Sequence, residues 1–336
     1  MSNNTFGKSF RLTTFGESHS TCLGGIIEGF PANIKIDYEL LNQELKRRNS
    51  SSAYSTPRIE EDKVIFLSGI ENNISLGTPI AFLIENKNVK KQDYDNLKTT
   101  FRPSHADYTY FCKYGINASS GGGRASARET VCRVVGGSLA KQFLSSYGIE
   151  INSEITQIGQ FDYNNQRNQA EEALKEAKEK GDSLGGVIKC TINNVPKGLG
   201  EPIFDKLSAT LAQAMISIPS AKSFEIGDGL ESCKRLGSED IDYWNQDFTT
   251  QTNHSGGVQG GITNGMQVVF SVGFKPIASI SRIRAINPQG EITEIENKGR
   301  HDCCQLFRAR VIVEAMAALT ISDFIKRAKY KEQKRI

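Results

Sequence analysis

All four histidines of the 336-residue chain fall in segments of glycine, serine and charged residues. They are Gly16-Glu17-Ser18-His19, Arg102-Pro103-Ser104-His105-Ala106-Asp107, Asn253-His254-Ser255-Gly256-Gly257 and Gly299-Arg300-His301-Asp302. None lies on an apolar stripe, where it would be a packing residue. Imidazole titrates near neutral pH, so a histidine in a polar loop can give or take a proton. One such histidine is most simply a surface group; four of four point to a site. Arginines recur at Arg47, Arg48, Arg58, Arg102, Arg124, Arg128 and Arg300, several beside a histidine or in a glycine- or serine-rich loop. A guanidinium donates two parallel hydrogen bonds and keeps its charge when desolvated, so the pattern suits a ligand with several negative charges. Arg47 and Arg58 read equally well as solvated surface residues. Asp302, beside Arg300 and His301, is a base, a histidine orienter or a salt-bridge partner, and spacing alone favours the last.

Gly121 to Glu129 is a glycine run that opens into a predicted helix. Free N–H groups and the helix dipole can hold an anion there, with Arg124 and Arg128 adding charge. The run lacks P-loop order and follows no obvious strand, so a plain flexible loop is an equal reading. No histidine or cysteine spacing suits a metal. The seven cysteines are odd in number and form no C-x-x-C pair. They read as reduced, mostly buried small residues.

Strands are predicted at Ser9–Thr14, Val64–Ile70, Gly185–Ile192 and Met266–Phe274 from alternation and β-branching. Asp37 can cap a helix over Tyr38–Arg48, and Leu207, Leu211 and Met215 repeat with helical spacing. Gln169–Lys180 alternates Glu and Lys and stops at Gly181, as a solvated helix does. Ala127–Phe143 and Val311–Ile325 are apolar enough to be buried helices. Without a regular βαβ period, the mixture predicts an α+β fold with antiparallel sheets. One domain over residues 1–336 is expected, with a frayed basic tail from Lys326.

The formal net charge of +3 is too mild for binding driven by the phosphates of a nucleic acid. No secretory h-region opens the chain, and the apolar stretch around Val311–Ile321 is too short to span a bilayer. A soluble, cytoplasmic protein is expected, with neither nucleic acid nor membrane as partner.

In order along the chain, Thr13–His19, Phe101–Tyr110, Gly121–Thr130, Gly198–Asp205, Glu225–Gly229, Asn253–Gly261 and Lys298–Asp302 resemble the signatures of the chorismate synthase family, and they are collinear with it from about residue 5 to 325. The resemblance implies a compact domain with core helices sandwiched between antiparallel sheets, assembled as a homotetramer. It implies anti elimination of phosphate and a ring hydrogen from 5-enolpyruvylshikimate 3-phosphate, with reduced FMN as cofactor. Substrate would meet Ser18, Arg48, Arg102, Arg128 and Arg300. A protonated His19 would serve the departing phosphate, an imidazolium at His105 would face the reduced flavin, and Asp302 would relay a proton. Flavin contacts would come from Arg124, Ala125, Ser126, Pro219, Ser220, Gly260, Lys275, Pro276, Ile277, Ala278, Ser279 and Arg300. Arg48 would also take NADPH in members that reduce their own flavin; otherwise a separate reductase is needed. His254 and His301 would line the site or be structural.

The chain departs from the family at several points. Ser20 stands where glycine is usual, and a positive φ there would strain serine. The loop after Asn49 is one residue shorter and lacks an arginine at Ala53. Ala118-Ser119-Ser120 replaces a charged segment, and Cys303 replaces a proline.

Overall fold

The computed structural model describes residues 4–49, 62–86, 100–116, 122–296 and 302–328. Arg58, Arg300, His301, the Ser50–Ala53 loop, Ala118–Ser120 and most of the basic tail lie outside them. The chain opens with β1 (Thr5–Phe6), β2 (Arg11–Gly16), β3 (Cys22–Glu28), β4 (Ala32–Lys35) and α1 (Tyr38–Asn49), then β5 (Val64–Phe66), β6 (Ile70–Glu71), β7 (Ile74–Leu76) and β8 (Ile80–Glu85). The middle holds α2 (Asp107–Tyr114), α3 (Thr130–Ser145), β9 (Glu150–Ile158), β10 (Phe161–Asp162), α4 (Arg167–Glu179), β11 (Gly186–Asn193), α5 (Leu207–Ile216) and β12 (Ala221–Ile226). Last come β13 (Val258–Gln259), β14 (Ile262–Thr263), β15 (Val268–Phe274), β16 (Arg282–Ile286), β17 (Ile292–Glu296) and α6 (Leu306–Arg327).

Two five-stranded sheets, β1-β2-β3-β8-β5 and β10-β9-β11-β15-β12, are antiparallel throughout. Between them lie α3, packed on β2 and β3, and α6, packed on β9 and β11. This is the expected sandwich. Its inner faces follow from period-2 patterning: Val268, Phe270, Val272 and Phe274 of β15 point inward, as do Ile188, Cys190 and Ile192 of β11. Helices α3 and α6 are buried on nearly all sides. Their axes come close because Gly137 has no side chain; a Cβ there would lie 2.3 Å from that of Ala315.

Several boundaries moved for local reasons. β2 begins at Arg11 because the N–H groups of Lys8, Ser9 and Phe10 turn to the Asp323 carboxylate. Val64–Ile70 splits into β5 and β6, with Gly69 at φ +79° in the break. Two 3-10 turns, Gly123–Ala125 and Ala127–Glu129, precede α3, so the glycine run does not open directly into the helix. Lys326 and Arg327 belong to α6 rather than to a tail, and Arg327 donates to Asp205 at 2.8 Å. Asp37 caps α1 as expected, accepting from Leu40 N at 2.9 Å.

All seven cysteines are free, four of them buried. Burial pushes the Cys132 and Cys304 thiols up to about 12. Among the described residues, no helix is long and apolar enough to cross a membrane.

Candidate active site

A cavity of about 460 Å³ opens where the segment before α2, the 3-10 turns before α3, the C-terminal end of α5 and the end of β15 converge. Four cations, Arg124, Arg133, Lys222 and Lys275, line it together with Glu129, His105, Ala125, Pro219 and Ser220. Two non-glycine residues of the wall, Ser104 and Ser220, have φ of 59° and 70°. Such strain persists where the surroundings enforce it, and it gathers at functional sites. Lys275 does the enforcing here. Its N–H donates to the Ser220 carbonyl at 3.0 Å and its ammonium to the Ser104 carbonyl at 3.3 Å.

His105 Nδ1 lies 3.0 Å from the Pro103 carbonyl, which can only accept, so Nδ1 carries the hydrogen. Nε2 then accepts from the Ser279 hydroxyl at 3.0 Å. Burial lowers the pKa of His105, with the charges of Arg102 and Lys275 adding to it and only partial opposition from the Pro103 hydrogen bond and Asp107. These surroundings disfavour the charged ring that the sequence reading expects at this position.

A second cluster adjoins the first. His19 sits in the β2–β3 loop, its Nδ1 2.8 Å from the hydroxyl of buried Ser18. Asn86 pins that loop by donating to the carbonyls of Glu17 and Ser20, and accepts from Arg128 Nε at 3.3 Å. Arg128 and Arg48 both reach the Asp62 carboxylate, at 2.5 Å and 3.0 Å. Ser18, His19, Arg48 and Arg128 are therefore drawn together through Asn86 and Asp62, two residues that the sequence does not single out. The turns over 123–129 form a shared wall. Arg124 and Glu129 face the cavity, while Arg128 faces Asp62. Ser20 does not have the positive φ that would strain it; its hydroxyl donates within the turn to the carbonyls of Glu17 and Cys22.

The other expected residues have local partners of their own. The Arg102 fork grips Asp107 at 2.8 and 2.9 Å, so a carboxylate of the chain already holds the guanidinium meant for substrate. Both terminal nitrogens of Arg124 are occupied by β2, through Gly16 O, Thr14 O and Thr14 Oγ1. Ser126 accepts from Arg128 N and caps the second 3-10 turn. Pro276, Ile277, Ala278 and Ser279 run on from Lys275, buttressed by Ser183 Oγ on Ile277 O and by Gln305 on Lys275 O. Asp302 pairs with Arg308 at 3.2 Å, and neither it nor His19 lines the cavity. Gly260 is at the β13–β14 turn, beside the first residue of α5, whereas the cavity is at the other end of that helix, roughly 14 Å away at 1.5 Å per residue. His254 is held by Asp228 at 2.6 Å and by Arg235, away from the cavity. Arg300 lies outside the described residues.

Helices clasped between two antiparallel sheets, with a cation-lined cavity beside a histidine and two further arginines, define an enzyme that receives an anionic small molecule. The chain belongs to the chorismate synthase family, whose model matches residues 10–325, and with it to the carbon-oxygen lyases. It is 48% identical to the chorismate synthase of Christiangramia forsetii, covering 96% of this chain and 98% of that one. The enzyme of Parabacteroides distasonis is 46% identical, with 98% and 99% covered. A crystal structure of chorismate synthase superposes with a TM-score of 0.74 at 32% identity, over 95% of this chain and 92% of that one. A flavin cofactor is implied by the family.

Proposed function

We propose that the chain removes phosphate and a ring hydrogen, in the anti sense, from 5-enolpyruvylshikimate 3-phosphate to release chorismate, with reduced FMN in the cation-lined cavity. The observation that carries this reading is the convergence of His105, Arg124, Arg133, Lys222 and Lys275 on one cavity in a member of this family. Its volume is within the range of small-molecule sites, and its lining suits a phosphorylated aromatic group. Reduced FMN, when bound, supplies an electron-rich ring with an N5 position able to take up the substrate's hydrogen.

The chain's own residues divide the remaining work. Arg48 and Arg128, held by Asp62, and Ser18 grip the anionic groups of the substrate, with Arg300 as a further partner. His19 gives a proton to, or neutralises, the departing phosphate. His105 faces the cofactor and gains a proton as negative charge arrives, and Asp302 holds and moves a proton. Arg102, clasped by Asp107 beside His105, positions that histidine. Lys275 fixes the cavity wall through its two serine carbonyls. A homotetramer follows the family and suits exposed apolar side chains such as Phe204 and Phe248. A cytoplasmic site of action fits seven unbridged thiols. NADPH at Arg48, or a separate flavin reductase, would keep the cofactor reduced.

The test is anaerobic incubation of the protein with the phosphorylated substrate and chemically reduced FMN, following chorismate and phosphate. A parallel run with NADPH and oxidised FMN shows whether the chain reduces its own flavin. His19→Ala and Asp302→Ala should each lower kcat by about 100-fold or more while changing substrate Kd less than about threefold. Equal losses in both quantities would contradict the assigned roles.

A further inference from the structure

The guanidinium best prepared for a phosphate in the cavity is not the one the motif reading selects. Arg124 has both terminal nitrogens on β2. Arg133, in the first turn of α3, is arranged otherwise. Its Nε donates to Glu129 Oε2 at 2.8 Å and its Nη1 to Ser217 Oγ at 2.7 Å. The Ser217 hydroxyl donates onward to Ala214 O at 2.6 Å, so its oxygen is set to accept from Arg133. Nη2 has no partner among the described residues, and it is not among the buried unpaired atoms. Glu129, itself nearly buried, also accepts from Thr14 Oγ1 at 2.9 Å, and Thr14 Oγ1 in turn accepts from Arg124. One carboxylate thus fixes the Arg133 side chain, whose residue lines the cavity, and ties it to the strand that holds Arg124.

We infer that Arg133 binds the phosphoryl group of a phosphomonoester in this cavity, and that Glu129 is a positioning residue acting through Arg133. The inference rests on the cavity being the cofactor and substrate site. Three of the five N–H donors of Arg133 are taken, by Glu129, by Ser217 and, more weakly, by Met316 Sδ at 3.9 Å, and these contacts hold the guanidinium plane and leave the Nη2 edge for an anion. Orientation set in advance reduces the entropy lost on binding, which is why an anchored arginine surpasses a mobile lysine at such a position. The phosphoryl group can be that of the flavin mononucleotide or that of the substrate, and the two make different demands on the same variants.

The experiment measures equilibrium binding of FMN, of riboflavin, which lacks the phosphate, and of the phosphorylated substrate. The proteins are the wild type, Arg133→Gln, Arg133→Lys, Glu129→Gln and the Arg133→Gln/Glu129→Gln double variant, each checked for an unchanged melting transition. If the flavin phosphate is the ligand, Arg133→Gln weakens FMN about 10- to 100-fold and leaves riboflavin within about twofold, as expected for a lost charge-assisted hydrogen bond. If the substrate phosphate is the ligand, the loss moves to the substrate and FMN is unaffected. Arg133→Lys keeps the charge without the fork and should recover only part of the loss, which also covers the case in which Arg133→Gln folds poorly. Glu129→Gln should weaken the same ligand about three- to tenfold, and the double variant should be no weaker than Arg133→Gln alone. Equal weakening of FMN and riboflavin, or no change for any ligand, overturns the role of Arg133; additive losses overturn that of Glu129. Lys275→Ala serves as the control on the underlying reading, since its silence would remove the cavity itself as the flavin site.

Discussion

His105 shows how a side chain can be poised by what surrounds it before any ligand arrives. Burial disfavours the charged ring, and the cations Arg102 and Lys275 push the pKa the same way. An anion placed in the cavity reverses the second effect, because negative charge near the ring favours imidazolium. Ligand binding near pH 6.5 should therefore be coupled to proton uptake. Calorimetric titrations with FMN in buffers of different ionisation enthalpy should give apparent heats that differ by the buffer term, and His105→Gln should abolish the difference. Identical heats in wild type and variant would place the ring away from the anion. The segments that carry His19, His105 and Arg128 stood out in the sequence because glycine- and serine-rich stretches holding charged residues have few structural uses, whereas Arg48, in the last turn of α1, stood out only through the family resemblance. The directions of Arg102 and Arg124 were not legible. Each is captured by a partner, Asp107 or Thr14, that spacing cannot separate from an ordinary neighbour. Glu129 falls inside a signature segment with nothing to mark its role, and Arg133 and Asp62 fall outside any, since a single charged residue at the edge of an apolar run looks like the solvated end of an element.

At the scale of elements, the junction of α1, α3, α6 and β9 depends on a buried carboxylate. Glu314 of α6 takes the Arg47 fork at 2.7 and 2.6 Å, Lys141 of α3 at 2.7 Å and the Ser153 hydroxyl of β9 at 2.6 Å. Burial alone would raise its carboxyl, but the Arg47 hydrogen bonds and the charges of Lys141 and Arg47 outweigh it and hold the group at about 2. Because the folded value is depressed, the stabilisation is complete above the unfolded value near 4.5 and is lost as pH falls toward 2. The linkage is worth about 3 kcal/mol. Urea unfolding should show Glu314→Gln less stable by about 3 kcal/mol at pH 7, because Arg47 and Lys141 lose one of their two carboxylate partners and keep only Glu44. That gap should shrink at pH 3, and a gap independent of pH would show that the carboxylate's charge is not what joins the elements. Arg47, for which the sequence left surface and site equally open, belongs to this junction. Helices α1, α4, α5 and α6 and strands β11 and β15 were legible from periodicity, since each has one clear apolar face or is buried throughout. The 3-10 entry to α3 and the break between β5 and β6 were not, because Ser126 and Gly69 redirect the backbone locally while the hydrophobic pattern runs on.

The whole molecule is closed by joining the start of the chain to its last helix. Asp323 of α6 is buried, and a single oxygen, Oδ1, accepts from the N–H groups of Lys8 and Phe10 at 2.9 Å and of Ser9 at 2.5 Å. These three residues lead into β2, which belongs to one sheet, while α6 packs on β9 and β11 of the other. The carboxylate therefore joins the two halves of the sandwich through backbone amides that the strand ladder leaves unpaired. An amide in its place keeps an acceptor but loses the charge that strengthens these hydrogen bonds. Asp323→Asn should cost about 1 to 2 kcal/mol. Asp323→Ala should cost about 3 kcal/mol or more, because the Phe10 N–H, in a fully buried residue, loses its partner. Hydrogen exchange separates a global joint from a local one. If Asp323 joins the halves, Asp323→Ala speeds exchange at residues 8–10 and also in β2, α6 and β11, as expected for lowered global stability. Faster exchange confined to residues 8–10, with the unfolding midpoint unchanged, would reduce the contact to a tether for the N-terminal segment and leave the closure of the sandwich to α3 and α6 alone.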